Sequence, residues 1–184
     1  MKDSRGPACR IIAQRKRARA GSVSFPAVTD LQIREMTQEE FRVFRQRAIS
    51  EYAAEHIRAG DWNPEEAEQR SAQEIDGLLP DGAETAGMVL LLGETAGGAV
   101  GLVWVGPAPA GRPGWWIYDI EVLPAQRGRG HGRALLEAAE REARRRGAES
   151  IGLNMFGAND AARGLYESSG FEVAATYMRK RFGS

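Results

Sequence analysis

Residues 115–133 read WWIYDIEVLPAQRGRGHGR, and the fold turns on how this stretch changes character. Its first half is strand-like, because Ile117, Tyr118, Ile120 and Val122 are β-branched or aromatic. Pro124 then ends ladder donation. Gly128, Gly130 and Gly132 follow at alternate positions, interleaved with Arg127, Arg129 and Arg133. Residues 134–143 read as a helix. A strand that breaks into a glycine-rich, arginine-studded turn and opens a helix is a phosphate-binding device. Amides freed at the helix start point at the ligand, and the helix dipole adds partial positive charge.

Upstream of this stretch, residues 31–34 suggest a short strand. Thr37 and Glu40 have the spacing of a capping box, opening a helix to about Arg58 with Gly60 at its end. Asn63-Pro64-Glu65-Glu66 repeats the pattern for a second helix, which stops at Pro80-Asp81-Gly82. The apolar runs 88–93 and 99–105, separated by glycines, predict a hairpin. Residues 106–114 are a loop by composition. Downstream, Leu135, Leu136, Ala139 and Ala143 form one face of the helix, which Gly147 ends. A strand over 150–155 follows, then a short helix capped by Asn159 and closed by Gly170. Residues 171–182 read as one bent or two short strands. Hairpin strands mixed with crossover helices predict an α/β fold with a mixed, mostly antiparallel sheet and about four helices.

Three phosphate-binding motifs compete for the glycine turn. A dinucleotide fingerprint starting at Gly128 needs glycine at 133, where Arg133 stands. A Walker loop needs a Gly-Lys pair, and the chain has none. The pattern present is Arg127-x-x-Gly130-x-Gly132. It resembles the acyl-CoA pyrophosphate loop of the GNAT acetyltransferase superfamily. The similarity extends to Ile120-Glu121-Val122-Leu123-Pro124 before the loop, and to Asn159, Ala162, Leu165-Tyr166 and Gly170-Phe171 after it. Only about the first 30 residues fall outside the match.

The resemblance implies a GNAT fold splayed at the acyl-CoA site, and direct transfer of an acetyl group from acetyl-CoA to a primary amine. In its terms Gly128, Arg129, Gly130, His131 and Gly132 wrap the pyrophosphate, with charge from Arg127, Arg129 or Arg133. Ile120 and Val122 accompany the pantetheine arm, and the Val122 amide polarises the thioester. Asn159 and Ala162 are further CoA contacts. Glu121 is the favoured base, through a water, with Asp119 second; both share a face under strict alternation. Tyr166 matches the tyrosine that assists departure of the thiolate. His131 supplies only its backbone. Tyr52, Glu55, His56, Asp61 and Trp62, with Trp104 nearby, are expected at the acceptor pocket, where they would suit a cationic amine. A non-catalytic acyl-CoA-binding or regulatory domain is the alternative.

The 184-residue length fits one domain, with 42% hydrophobic and 27% charged residues and zero formal net charge. Charge is unevenly spread: Lys2, Arg5, Arg10, Arg15, Lys16, Arg17 and Arg19 stand against Asp3 alone in the first 20 residues. Residues 1–28 read as a basic, disordered extension to a domain over 29–184. A transit peptide or a nucleic-acid-binding arm are lesser readings, and the acidic remainder argues against nucleic acid. No run approaches the roughly 18 apolar residues of a membrane helix. One cysteine and two histidines make a structural metal site unexpected. The expectation is a cytoplasmic enzyme with no metal, acting on acetyl-CoA and an amine, with homodimerisation left open.

Overall fold

The computed structural model describes residues 30–155, 159–176, 178–180 and 182; the basic extension over 1–28 lies outside them. The chain runs β1 (Gln32–Glu35), α1 (Gln38–Ala59), α2 (Pro64–Leu78), β2 (Val89–Thr95), β3 (Gly98–Pro107), β4 (Trp115–Val122), α3 (His131–Arg145), β5 (Ile151–Gly152) and α4 (Asp160–Glu167). The strands lie side by side in chain order. Neighbours from β1 to β4 are antiparallel, and β5 is parallel to β4.

Local chemistry sets most boundaries. Thr37 Oγ1 accepts from the Glu40 amide, and Glu40 returns a carboxylate to the Thr37 amide at 2.9 Å, so the α1 box forms. At α2 the Glu66 amide bonds the Asn63 carbonyl instead, and Asn63 Oδ1 takes the Glu65 amide. The expected second box is therefore a simple cap. Gly147, at φ 79°, ends α3 with amide bonds from Gly147 to Arg144 and from Ala148 to Ala143.

Alternation along the strands feeds two layers. On one face Val103, Val105, Ile117, Ile120 and Val122 pack against Leu135, Leu136 and Ala139 of α3 and against Ala162 and Tyr166 of α4. On the other, Leu90, Leu102, Trp104, Trp116 and Tyr118 meet Phe41, Phe44 and Ala48 of α1 and Ile75 of α2. Each fully buried aliphatic such as Ile117 or Leu135 contributes about 1.5–3 kcal/mol through its removal from water.

The sheet departs from expectation at its far edge. The strand expected over 150–155 shrinks to Ile151 and Gly152, paired with Trp115 and Trp116. The strands expected over 171–182 do not form among the described residues. A β-bulge accounts for the first difference. The β3–β4 register jumps between Trp104–Asp119 and Val105–Ile117, leaving Tyr118 as the extra residue. Bulges strengthen local twist, and this one lies just past the last β4–β5 pair. The sheet opens there, and residues 171–176 border the opening without a long edge strand to pair with.

Candidate active site

The glycine turn has two backbone residues that need glycine: Gly128 at φ 75° and Gly130 at φ 88°. Gly130 is the N-cap of α3, and no side chain caps that helix. Thr37, Asn63 and Asn159 cap α1, α2 and α4. The first-turn amides of α3 are thus left for an anion. Gly132 has a different job. A Cβ there would lie 3.3 Å from Leu165 and 3.6 Å from Val122, so it lets α3 pack close to α4 and β4.

The arginines divide similarly. Arg127 Nε donates to the Val122 carbonyl at 3.0 Å, folding the turn back on the strand that feeds it. Arg129 is exposed and bonds Gln126. Arg133 reaches Ser168 and Ser169 at the end of α4, where it braces that helix. His131 is only 4% exposed. Burial, and after it the Arg129 charge, hold its pKa below the ordinary histidine value.

The end of β4 has a definite polarity. The Leu123 amide donates to the Val100 carbonyl at 2.9 Å. Hydrogen-bonded pairs alternate in an antiparallel ladder, so Glu121 bonds Leu102, and the peptide groups of Ile120 and Val122 point away from β3. They face the side on which β5 has stopped pairing. An extended ligand entering that gap meets backbone donors already in strand geometry.

The bulge also decides where the two acids go. Strict alternation would set Asp119 and Glu121 on the face of Trp115 and Ile117. The extra residue at Tyr118 reverses the phase, and both acids sit opposite Trp104 and Leu102, towards α1. They still share a face, because both follow the bulge. Both are buried, at 7% and 4% exposure. Arg47 Nη2 of α1 lies 2.6 Å from Glu121 Oε2. Sequence reading missed Arg47, because an arginine one position from core-facing Ala48 looks like any arginine at a helix edge.

Tyr166 is buried, with its ring centroid 5.6 Å from that of Phe171. It borders a cleft of about 1470 Å³ with Asn154, Met155 and residues 171–176. Asn159 Oδ1 accepts from the Ala162 amide at 3.1 Å, so Asn159 is the N-cap of α4, and Ala162 is core.

Tyr52, His56, Asp61 and Trp62 line the far wall of the cleft. His56 stacks on Trp62 with centroids 3.9 Å apart, and the Arg70 guanidinium lies 4.6 Å over the same ring. Tyr52 donates to Glu74 at 3.1 Å. The π surface expected for a cationic acceptor is thus engaged by the chain itself, and Trp62 staples the inter-helix loop to the core. Trp104 stacks on Tyr118 in the sheet's helical layer, away from that wall. Arg70 and Glu74 were not legible as wall residues, since their roles depend on how α2 leans on α1.

Comparison with known proteins agrees with this architecture. The model of the acetyltransferase (GNAT) family matches residues 33–171. YycN of Bacillus subtilis, named an uncharacterized N-acetyltransferase, is 35% identical over 150 residues, covering 79% of this chain and 95% of that one. Its crystal structure superposes with a TM-score of 0.75 over 84% of this chain and 99% of YycN, at 32% identity. A mycothiol acetyltransferase of Propionibacterium freudenreichii is 37% identical over 122 residues, 66% of this chain but 36% of that protein. Among the described residues, no helix is long and apolar enough to cross a membrane. The glycine turn, the opened sheet and these matches lead to one statement: the chain belongs to the GNAT family of N-acetyltransferases and is an acyltransferase.

Proposed function

We propose that the protein transfers an acetyl group from acetyl-CoA to a primary amine, without a covalent enzyme intermediate. One observation supports this most strongly. The uncapped glycine turn of α3 and the outward peptide groups of Ile120 and Val122 lie at the two ends of one short segment, beside the gap left by β5. A diphosphate and an extended thioester-bearing arm are the two ends of acyl-CoA.

In this reading the amides of residues 128–132 hold the diphosphate. Acetyl-CoA supplies the activated acyl group. The Val122 amide donates to the thioester oxygen and stabilises the charge that builds there as the amine adds. Glu121 accepts the amine's proton through a water. The new C–N bond forms as the C–S bond breaks, and the Tyr166 phenol hydrogen-bonds and protonates the departing thiolate. Asn159 and Ala162 support that tyrosine's helix and border the arm. Arg129 adds surface charge near the phosphates, whereas Arg127 and Arg133 serve by bracing the turn and α4. Residues 1–28 are assigned to an extension outside the catalytic domain over 29–184, and acetyl-CoA as donor goes with a cytoplasmic setting.

The test is thiol release from acetyl-CoA across a panel of amine classes. Release with at least one class is expected, and Gly130→Glu, which puts charge and bulk at the diphosphate, is expected to abolish both release and CoA binding. CoA binding without release from any class would favour the non-catalytic alternative.

A further inference from the structure

We infer that Arg47 is the positioning residue of the reaction: from α1 it supplies the counter-charge to Glu121 and aims its carboxylate. The inference rests on Glu121 as the base, and adds a residue that the sequence motifs do not include. Glu121 is 4% exposed, and its Oε2 is enclosed against the Arg47 guanidinium at 2.6 Å. Arg45, two residues earlier, makes a different kind of pair. It reaches Asp76 across the exposed seam with α2, where both partners are more than a third exposed. The Arg45 bond holds the Asp76 carboxyl below its ordinary value, but an exposed, screened pair of that kind contributes little to stability. A buried carboxylate deprived of its counter-charge instead takes up a proton.

The surroundings of Glu121 sharpen this. From α1 it is met by Arg47; Glu51, engaged in an interaction of its own, stands one turn further along that helix. Its own strand adds Asp119. The β3 residues in register, Gly101, Leu102 and Trp104, carry no charge. Arg47 is therefore the cation set directly against the Glu121 carboxylate, at 2.6 Å. A base that must accept a proton through water benefits from such an arrangement. One carboxylate oxygen is held against the guanidinium, which fixes the direction of the carboxylate.

The experiment compares the wild type with Arg47→Met, Arg47→Lys, Glu121→Gln and the control Arg45→Met. Two readouts are taken on each folded protein: the pH profile of kcat/KM, and the titration of ¹³C-labelled glutamate carboxyls, with the Glu121 signal identified by its absence in Glu121→Gln. In Arg47→Met both the carboxyl titration and the acid limb of the rate profile are expected to move to higher pH, by about one to three units. Arg47→Lys, which keeps the charge but not the planar fork, is expected to fall between Arg47→Met and wild type. Arg45→Met is expected to change neither. If Arg47→Met does not fold, the intermediate position of Arg47→Lys carries the test. A Glu121 titration unmoved in both Arg47 variants overturns the inference. A titration that moves while the rate limb does not supports the hold of Arg47 on Glu121 and overturns Glu121 as base.

Discussion

Arg127 Nε donates to the Val122 carbonyl at 3.0 Å, so a residue of the glycine turn fixes the peptide at the end of β4. Its Nη2 is enclosed, with no partner among the described residues. The bond couples the two halves of the site: loosening the turn also releases the strand end. Hydrogen bonds to charged groups contribute about 1.5–3 kcal/mol. Arg127→Ala is therefore expected to raise the CoA dissociation constant about tenfold or more, measured by calorimetry. Unchanged affinity would show that the turn keeps its shape without this bond.

Gly101 on β3 sits where no side chain fits. A Cβ there would lie 2.2 Å from the Glu121 carbonyl oxygen and 2.9 Å from Leu135. Backbone cannot step aside as a flexible side chain does. Gly101→Ala is expected to destabilise the fold by about 1–3 kcal/mol, read as a lowered urea midpoint. Because the displaced strand carries Glu121, kcat is expected to fall even where the protein remains folded.

Tyr166 lies in the core and also borders the cleft. A packing role and a chemical role separate under Tyr166→Phe, which keeps the ring. Turnover is expected to drop by about 100-fold, the lower range for proton-transfer groups, with CoA affinity nearly unchanged. Equal turnover would leave Tyr166 as packing alone.

Arg34 ties β1 to both α1 and β2 by bonding Glu40 and Glu94. The Arg34 bond, with help from the Thr37 amide, holds the Glu40 carboxyl down at about 2, from an ordinary 4.5. The folded protein therefore binds that proton less readily than the unfolded chain. The resulting stabilisation is fully present above about pH 4.5 and fades as pH falls towards 2. Thermal unfolding of wild type and Glu40→Gln should converge across that window, with the variant less stable only on its neutral side.

Much of this was legible in the chain. Caps and stops are local chemistry, so Thr37, Asn63, Gly60 and Gly147 announce their helices directly. The glycine turn was legible because positive φ and an uncapped helix start demand particular residues. The bulge was not. Trp115 to Val122 alternate acceptably in either phase, and only pairing with β3 shows that Tyr118 is the extra residue. The short β5 was hidden for the same reason, since its length depends on how β4 twists. Arg47 was invisible because an ion pair from a helix to a strand leaves no mark in the periodicity of either.

The stapled Trp62 has a consequence for the proposed acceptor wall. With His56 against its ring and Arg70 over it, the wall of the cleft is assembled before any acceptor arrives. The Trp62 ring is already ordered, so a ligand packing against it costs little further side-chain freedom at that residue. The same stiffness works against one that does not fit, because the indole cannot swing aside. For an acceptor bound at this wall, selection is by shape rather than by adaptation, and a narrow acceptor range is expected.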